Sequence, residues 1–264
     1  MSRRIRLLLP VFPLAFLGAV WFWWLILPWP VLLRWKEPGR TAFMTMRIRE
    51  ARAEGQDYEI QQTWLTLDRI SRNLQRAVIL AEDGSFYRHG GVDWEALREE
   101  FRYQGDADFS WLDPGDVRAL IGSFRYYLAN RDEVRGRSTI TQQLAKNLYF
   151  GNERSPLRKI AELAVASRLE LLLSKQRILE LYLNTAEWGP GIFGAEAAAR
   201  HYFRRSATEL SRDQAASLAA TLPHPLTSNP RHRPGNMAWR KRLILQRMSR
   251  AGPVETVPLD STRR

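Results

Sequence analysis

Two adjacent carboxyl groups, Glu82 and Asp83, stand at the end of an apolar run and directly before a glycine. Apolar residues recur in that run at three- and four-residue steps, which predicts one buried helix face: Ile70, Leu74, Ala77 and Leu80. A carboxyl that emerges from such a face is partly desolvated, and desolvation favours its protonated form. Glu82 could therefore act as a general base or acid near neutral pH. The alternative is a solvated acid at the end of a surface helix.

A second polar stretch, GRSTITQQLAKNLYF at 136–150, contains a helix start. Thr139 has capping-box spacing to the glutamine three residues later, which predicts a helix from about residue 140. On that helix four side chains fall at i, i+3, i+4 and i+7 and share a face: Gln143, Lys146, Asn147 and Phe150. Such a row suits a ligand-binding surface, although any one member could instead lie on a solvated face.

A third stretch, ERSPLRKIAELAVASRLE at 153–170, combines a helix start with closely spaced charges. The Ser-Pro pair at 155–156 predicts the N-terminus of a long helix. Glu162 follows Arg158 and Lys159 by four and three residues, so both cations can reach it on the helix surface. Arg154 precedes the N-terminus and is placed to meet an anion that binds there. A helix that is merely stabilised by ion pairs would show the same pattern.

These three stretches are followed by ILELYLNTAEWGPGIFGAEAAARHYF at 178–203 and LAATLPHP at 218–225. In order and content, the five segments resemble the motifs of the family 51 glycosyltransferases, the peptidoglycan transglycosylases that polymerise lipid II. The resemblance covers 60–250 and is closest to the monofunctional members, because no room remains for a transpeptidase domain. It implies a mainly α fold with a lysozyme-like helical lobe and a smaller membrane-proximal jaw.

The resemblance also implies a role for each matching residue. It places Glu82 at the position of the catalytic base and Glu162 at that of the second catalytic glutamate. The residues implied to bind substrate are Asp83, Phe86 and His89 of the first motif, Thr139, Gln143, Lys146 and Asn147 of the donor-side motif, and Arg154 at the diphosphate. It implies lipid II and the growing glycan strand as substrates.

This chemistry explains why one carboxylate is surrounded by amides and cations. The acceptor 4-hydroxyl must lose a proton as it attacks the anomeric carbon of the lipid-linked chain, and Glu82 can take that proton. The leaving diphosphate is already charged, so Lys146 and Arg154 can stabilise it without an acid. Displacement of an α-linked diphosphate gives a β-1,4 bond. The sequence predicts no cofactor and leaves open a divalent ion at the diphosphate.

Two other functions would share parts of this pattern. A muramidase or lytic transglycosylase would share the helical lobe, but it usually needs an acid for its sugar leaving group and often a second carboxylate. A non-enzymatic membrane-tethered scaffold or nucleic-acid binder should carry a continuous basic patch with interleaved aromatics. Here basic residues alternate with acidic ones, so no nucleic-acid partner is predicted.

The N-terminus has the composition of a membrane anchor. Residues 7–33 carry no charge, which is longer than the roughly 20 apolar residues that span a bilayer as a helix. Tryptophans cluster near the end of this segment, as in an interfacial aromatic belt. A cleaved signal peptide is the alternative. Arginines flank both ends, so orientation rests on the family, which implies a single-pass protein of the bacterial inner membrane with a periplasmic catalytic domain.

The remaining composition restricts the chemistry. The chain has 264 residues and no cysteine, which excludes disulfides, thiolate zinc sites and cysteine nucleophiles. Its four histidines show no metal-ligand spacing, so no metal site is predicted. The formal net charge of +12 favours anionic membrane lipids as partners. Cell-division or elongation proteins remain open as further partners.

The elements predicted to position these residues are mainly helices, without sustained strand alternation. We expect an anchor at 1–36, an irregular linker or arm at 37–62, the glycosyltransferase domain at 63–250 and a polar tail at 251–264. The GPGIFG run at 189–194 is interpreted as a turn after a helix rather than a dinucleotide-binding loop.

One stretch is longer than the family pattern suggests. Asp93 and Gly136 are 43 positions apart, and the excess falls within 103–136. Residues 115–130 are predicted to form a helix over the donor groove, with Phe124 and Tyr127 touching lipid or jaw. An independent surface excursion is the alternative.

Overall fold

The computed structural model describes residue 18 and residues 21–105, 110, 112–130, 138–151 and 155–251. This part of the chain is mainly helical, as predicted. Its longer helices, in chain order, are α1 (Ala42–Ala53), α2 (Arg72–Glu82), α3 (Trp94–Glu100), α4 (Pro114–Ala129), α5 (Ile140–Ala145), α6 (Pro156–Leu172), α7 (Lys175–Thr185), α8 (Ala195–Phe203), α9 (Arg212–Thr221) and α10 (Gly235–Arg250). Strands β1 (Gln61–Gln62), β2 (Glu187–Gly189) and β3 (Ile192–Phe193) form one small sheet.

Helix α2 carries the predicted catalytic glutamate to the surface of the core. It begins at Ser71, whose hydroxyl accepts a hydrogen bond from the Leu74 amide at 3.2 Å. Its apolar face is buried, including Leu74 and Ala77, and packs on α9 and α10. The buried face therefore fixes the direction in which Glu82, the last helical residue, leaves the helix.

Two buried helices form the base on which the site is built. Helix α7 is capped by Ser174, and all of its residues from Ile178 to Thr185 are buried except Glu180. Helix α5 starts at Ile140, as predicted, and packs on both α6 and α7. Because α5 is short and mostly buried, its polar residues are held by tertiary packing rather than by helix propensity.

Contrary to the prediction, the GPGIFG run at 189–194 does not directly follow a helix. It begins with the last residue of β2 and includes β3, so it forms the turn of an antiparallel hairpin; β3 also pairs in parallel with β1. Strands of two or three residues are too short to show alternation in the sequence. Gly191 has φ of 73°, and a Cβ there would lie 2.5 Å from the Glu59 carbonyl oxygen. The glycine is required by the close approach of the chain that leads into β1.

The prediction of an irregular segment at 37–62 is wrong for much of its length. Thr41 caps α1 by accepting from the Met44 amide at 3.2 Å, and Phe43 and Met44 are buried against Phe193. Arg47 donates to the buried carboxylate of Glu187 at 3.0 and 2.9 Å. Apolar residues and arginines are interspersed along α1 without a clear helical period, so the sequence pattern did not indicate the helix.

Helix α4 confirms the helix predicted at 115–130. The carboxylate of Asp113 accepts from the Gly115 amide at 2.6 Å, and a proline follows at the first helical position. Buried Asp116 accepts from the Tyr103 hydroxyl at 3.1 Å and ties the helix to the preceding loop. Phe124 is 60% exposed. Its contact with lipid or jaw, and that of Tyr127, stay predictions.

Residues 1–17, 19 and 20 of the predicted anchor lie outside the described residues. In the part of the chain that the structure describes, no helix has the length and apolar character of a membrane span. Residues 21–26 are helical, and a 3₁₀ turn at Pro30–Arg34 packs on α6.

A buried arginine holds this N-terminal segment on α6. Arg168 is 2% exposed, and its guanidinium donates to the carbonyls of Leu27 at 2.6 Å and Pro28 at 3.1 Å, and to that of Trp24. It lies over the rings of Trp24 and Trp29, at 4.4 and 4.0 Å from the centroids. The Arg168 guanidinium thus binds carbonyls at the C-terminal end of the helix at 21–26, where backbone carbonyls lack partners within the helix.

Replacing Arg168 with leucine is expected to lower the free energy of unfolding by about 1–3 kcal/mol, because buried carbonyls lose their donor. Chemical denaturation followed by circular dichroism would measure the change. Arg200→Leu is the matched control: the Arg200 side chain is 67% exposed. Its partner Glu196 keeps the hydrogen bonds from the Ser206 hydroxyl and the Ala207 amide, so the loss should be about 1 kcal/mol or less. Equal effects of the two substitutions would contradict a special role of Arg168.

Candidate active site

A cleft of about 1310 Å³ opens at the C-terminal end of α2. One wall is polar and is formed by Ser138, Thr139, Gln142, Gln143, Lys146 and Glu162. The rest of the lining comes mainly from the end of α2 and from 220–247. It mixes apolar side chains, Leu80, Ala81, Leu222, Pro223, Trp239, Leu243 and Ile244, with polar ones that include His224, Arg240 and Arg247. Glu82 also lines the cleft. Such a groove suits a ligand with both charged and apolar parts.

Both carboxylate oxygens of Glu82 are held by side chains from other helices. Oε1 accepts from Nη2 of Arg240 at 2.7 Å, and Oε2 accepts from Nε2 of Gln143 at 3.0 Å. The Gln143 amide is itself oriented, because its Oε1 accepts from the hydroxyl of Tyr182 at 2.8 Å. Burial raises the pKa of Tyr182 well above its ordinary value, so the hydroxyl remains a donor. The carboxylate is therefore fixed in orientation.

Asp83 points away from Glu82 and joins α2 to α5. Its buried carboxylate accepts from the Ile140 amide at 2.9 Å and lies 2.8 Å from Nε2 of His89. Because Nδ1 of His89 accepts from the Gly91 amide at 3.1 Å, Nε2 carries the proton and donates to Asp83. Asp83 lines the cleft edge, whereas Phe86 is fully buried. Phe86 and His89 do not line the cleft, so in the structure these two residues support the segment that carries Glu82.

The same region contains a set of donors that could ligate a cation. Atoms of Asp83, His89 and Asp93 lie within 4.8 Å of one another, a proximity that the sequence did not indicate. In the structure these groups already have partners: Asp93 accepts from the Ala96 amide at 2.9 Å and from the Ser85 hydroxyl. Although burial raises the pKa of Asp93, these hydrogen bonds outweigh it and leave the pKa below its ordinary value. A cation would have to displace these contacts.

Lys146 lies where α5 changes into a π-helical turn, Lys146–Phe150. This change alters the spacing, so the predicted shared face is divided. Gln143 and Lys146 line the cleft, whereas Asn147 is buried and Phe150 packs on the core. Burial lowers the pKa of Lys146, as does nearby Arg158. The ammonium group is thus poorly solvated and available to an anionic ligand.

Glu162 is buried in the polar wall and pairs with two cations, as the spacing predicts. It contacts Arg158 and lies 3.5 Å from Nζ of Lys159. The Lys159 Nζ donates to the Ser138 hydroxyl at 3.0 Å and so links α6 to the segment that precedes α5. Thr139 caps α5 and donates to the Gly91 carbonyl at 2.6 Å. Arg154 lies outside the described residues.

Sequence reasoning missed three residues of the site. Arg240 and Tyr182 contact the Glu82–Gln143 pair, and Trp239 lines the cleft while 58% of it is exposed. No local pattern indicates Arg240, because it is 158 positions from Glu82. The sequence offers only an indirect indication of Arg240: it is seven residues from Arg247, so the two arginines share one face of α10.

Comparison with known proteins gives consistent matches over most of the chain. A family model described as Transglycosylase matches residues 49–107 and 96–249. A "Biosynthetic peptidoglycan transglycosylase" of Bordetella pertussis is 39% identical over 91% of this chain and 90% of its own length. The protein of the same description from Dechloromonas aromatica is 39% identical over 95% and 97%, and that from Neisseria gonorrhoeae is 38% identical over 81% and 82%.

Proposed function

Because the chain belongs to the transglycosylase family, we propose that it is a peptidoglycan glycosyltransferase that polymerises lipid II into β-1,4-linked glycan strands and releases polyprenyl diphosphate. The observation that carries the proposal is the placement of Glu82. One oriented carboxylate lines a cleft that also presents cationic, amide and apolar side chains. This arrangement suits a sugar substrate that is attached to a charged lipid carrier.

Glu82 acts in this proposal as the general base. The acceptor 4-hydroxyl attacks the anomeric carbon of the donor, the bond from that carbon to the diphosphate oxygen breaks, and the hydroxyl proton passes to Glu82. Gln143 and Arg240 restrict the carboxylate to one orientation, which favours transfer from a hydroxyl bound in the cleft.

The cationic part of the polar wall receives the leaving group. Lys146 provides an ammonium that faces the cleft, and developing charge on the diphosphate would strengthen this contact in the transition state. Arg154 is proposed to contact the same diphosphate. Glu162 keeps Arg158 and Lys159 in place in the wall rather than taking a proton, since both cations favour its ionised form.

A muramidase is the less favoured alternative. Hydrolysis of a glycosidic bond generally requires a carboxylic acid that protonates the leaving sugar oxygen. Both Glu82 and Glu162 are paired with cations, which does not suit a carboxylic acid that must hold a proton and donate it.

A membrane location is proposed partly from exposed apolar residues. The N-terminal segment exposes Trp21, Phe22, Leu25, Ile26, Trp29, Leu32 and Trp35. Helices α4 and α6 expose Leu120, Ile121, Phe124, Leu157, Ile160 and Leu171. Large apolar residues exposed in such numbers support contact with a membrane or with protein. The finer assignment, a single-pass protein of the inner membrane with a lysozyme-like lobe, a membrane-proximal jaw and a periplasmic domain, is proposed from the family.

Incubation of the purified full-length protein with labelled lipid II tests the function. Gel electrophoresis should resolve glycan strands, and added muramidase should degrade them. Preformed peptidoglycan is the comparison substrate and should remain intact. Soluble fragments from preformed peptidoglycan, without polymer from lipid II, would support the muramidase instead. Neither product would indicate a non-enzymatic scaffold.

A further inference from the structure

Glu82 lies beside two sources of negative charge. It is the last residue of α2, so the negative end of the helix dipole lies at its backbone. Another carboxylate, Asp83, follows it, and only 10% of the Glu82 side chain is exposed. A general base must be ionised before it can accept a proton. Another group in the fold must therefore offset these effects.

Helix α10 brings two cations to this point. Nη2 of Arg240 donates to Oε1 of Glu82 at 2.7 Å. Seven residues later on the same helix face, Nη1 of Arg247 donates to the Leu80 carbonyl at 2.9 Å. Arg240 thus donates to the Glu82 carboxylate, and Arg247 donates to a carbonyl in the last turn of α2. Positive charge at the C-terminal end of a helix opposes its dipole.

We propose that Arg240 is a positioning residue that keeps Glu82 ionised and correctly oriented for proton transfer. The inference rests on the proposed function and adds a residue to it. Gln143 and Arg240 each occupy one oxygen of the carboxylate. A carboxylate oxygen can accept a second hydrogen bond, so the acceptor hydroxyl can bind Glu82 without displacing the arginine.

A different role for Arg240 would be direct binding of the diphosphate. The two roles predict different pH dependence. If Arg240 is the counter-charge of Glu82, its removal destabilises the carboxylate, which then ionises only at higher pH. The acidic side of the pH–kcat profile should move upward by about 1–3 pH units, the usual influence of an adjacent opposite charge. If Arg240 binds diphosphate only, KM for lipid II should rise and the acidic side should stay in place.

The experiment uses the full-length protein in detergent with labelled lipid II. Arg240→Gln should shift the acidic side of the profile upward with little change in KM. Arg240→Lys should restore its position, because the cation remains. Arg242→Gln is the matched control, since it removes an exposed arginine from the same helix and should leave the profile unchanged.

An unshifted acidic side in Arg240→Gln, with active wild-type enzyme, would overturn the inference while leaving the proposed function standing. A shift of the same size in Arg242→Gln would also overturn it, because it would reflect net charge alone. If Arg240→Gln does not fold, Arg240→Met keeps the packing of the stem and carries the same test. Wild-type protein that makes no polymer would instead overturn the proposed function and this inference together.

Discussion

Replacing Glu82 with glutamine is expected to reduce the rate of glycan polymerisation by about 10²–10⁴-fold, the usual contribution of a general base. Glutamine has nearly the same shape and can still accept a hydrogen bond from Arg240, so folding and lipid II binding should be almost unchanged. Steady-state turnover of labelled lipid II measures the first effect. Thermal unfolding and a direct binding assay measure the other two.

Glu54→Gln is the matched control for this substitution. Glu54 is exposed at the end of α1 and does not line the cleft, so the same chemical change should leave turnover at the wild-type level. Turnover of Glu82→Gln close to that of the control would remove Glu82 from the role of base. Loss of lipid II binding in Glu82→Gln would mean that the carboxylate binds the substrate rather than activating it.

Features determined by neighbouring residues could be predicted from the sequence. The apolar steps that lead to Glu82 predicted α2, and the capping-box spacing at Thr139 predicted where α5 begins. The pairing of Glu162 with Arg158 and Lys159 follows from helical spacing alone. Caps, periodicity and i,i+4 pairs involve a few adjacent residues, so their signals are strong.

Features that depend on tertiary packing could not be predicted. Arg240 reaches Glu82 only because α10 packs on α2. The π-helical turn that separates Asn147 from Lys146 has no sequence signature in a polar helix. Strand β1 forms because it pairs with β3; its own two glutamines do not predict a strand. The proposed roles of the site residues, Arg154 included, stay predictions.

Lys146→Ala is expected to reduce kcat/KM for lipid II by about 10- to 100-fold, because a buried ammonium that contacts a charged ligand contributes about 1.5–3 kcal/mol. Lys146 faces the cleft from the polar wall, where the diphosphate is proposed to leave. Steady-state polymerisation over a range of lipid II concentrations measures the effect. Lys241→Ala is the matched control, because its ion pair with Asp213, at 2.7 Å, lies outside the cleft.

The pH dependence separates a charge effect from a packing effect at Lys146. Burial and Arg158 lower the pKa of Lys146 from its ordinary value of 10.5, so the wild-type lysine loses its proton at lower pH than a solvated lysine. As the pH is raised, the rate of polymerisation should therefore begin to decline below pH 10.5. Arg158 and Arg240 would remain charged there, and Lys146→Arg should remove the decline. Normal polymerisation by Lys146→Ala, or the same alkaline decline in Lys146→Arg, would show that Lys146 does not provide the charge that the diphosphate requires.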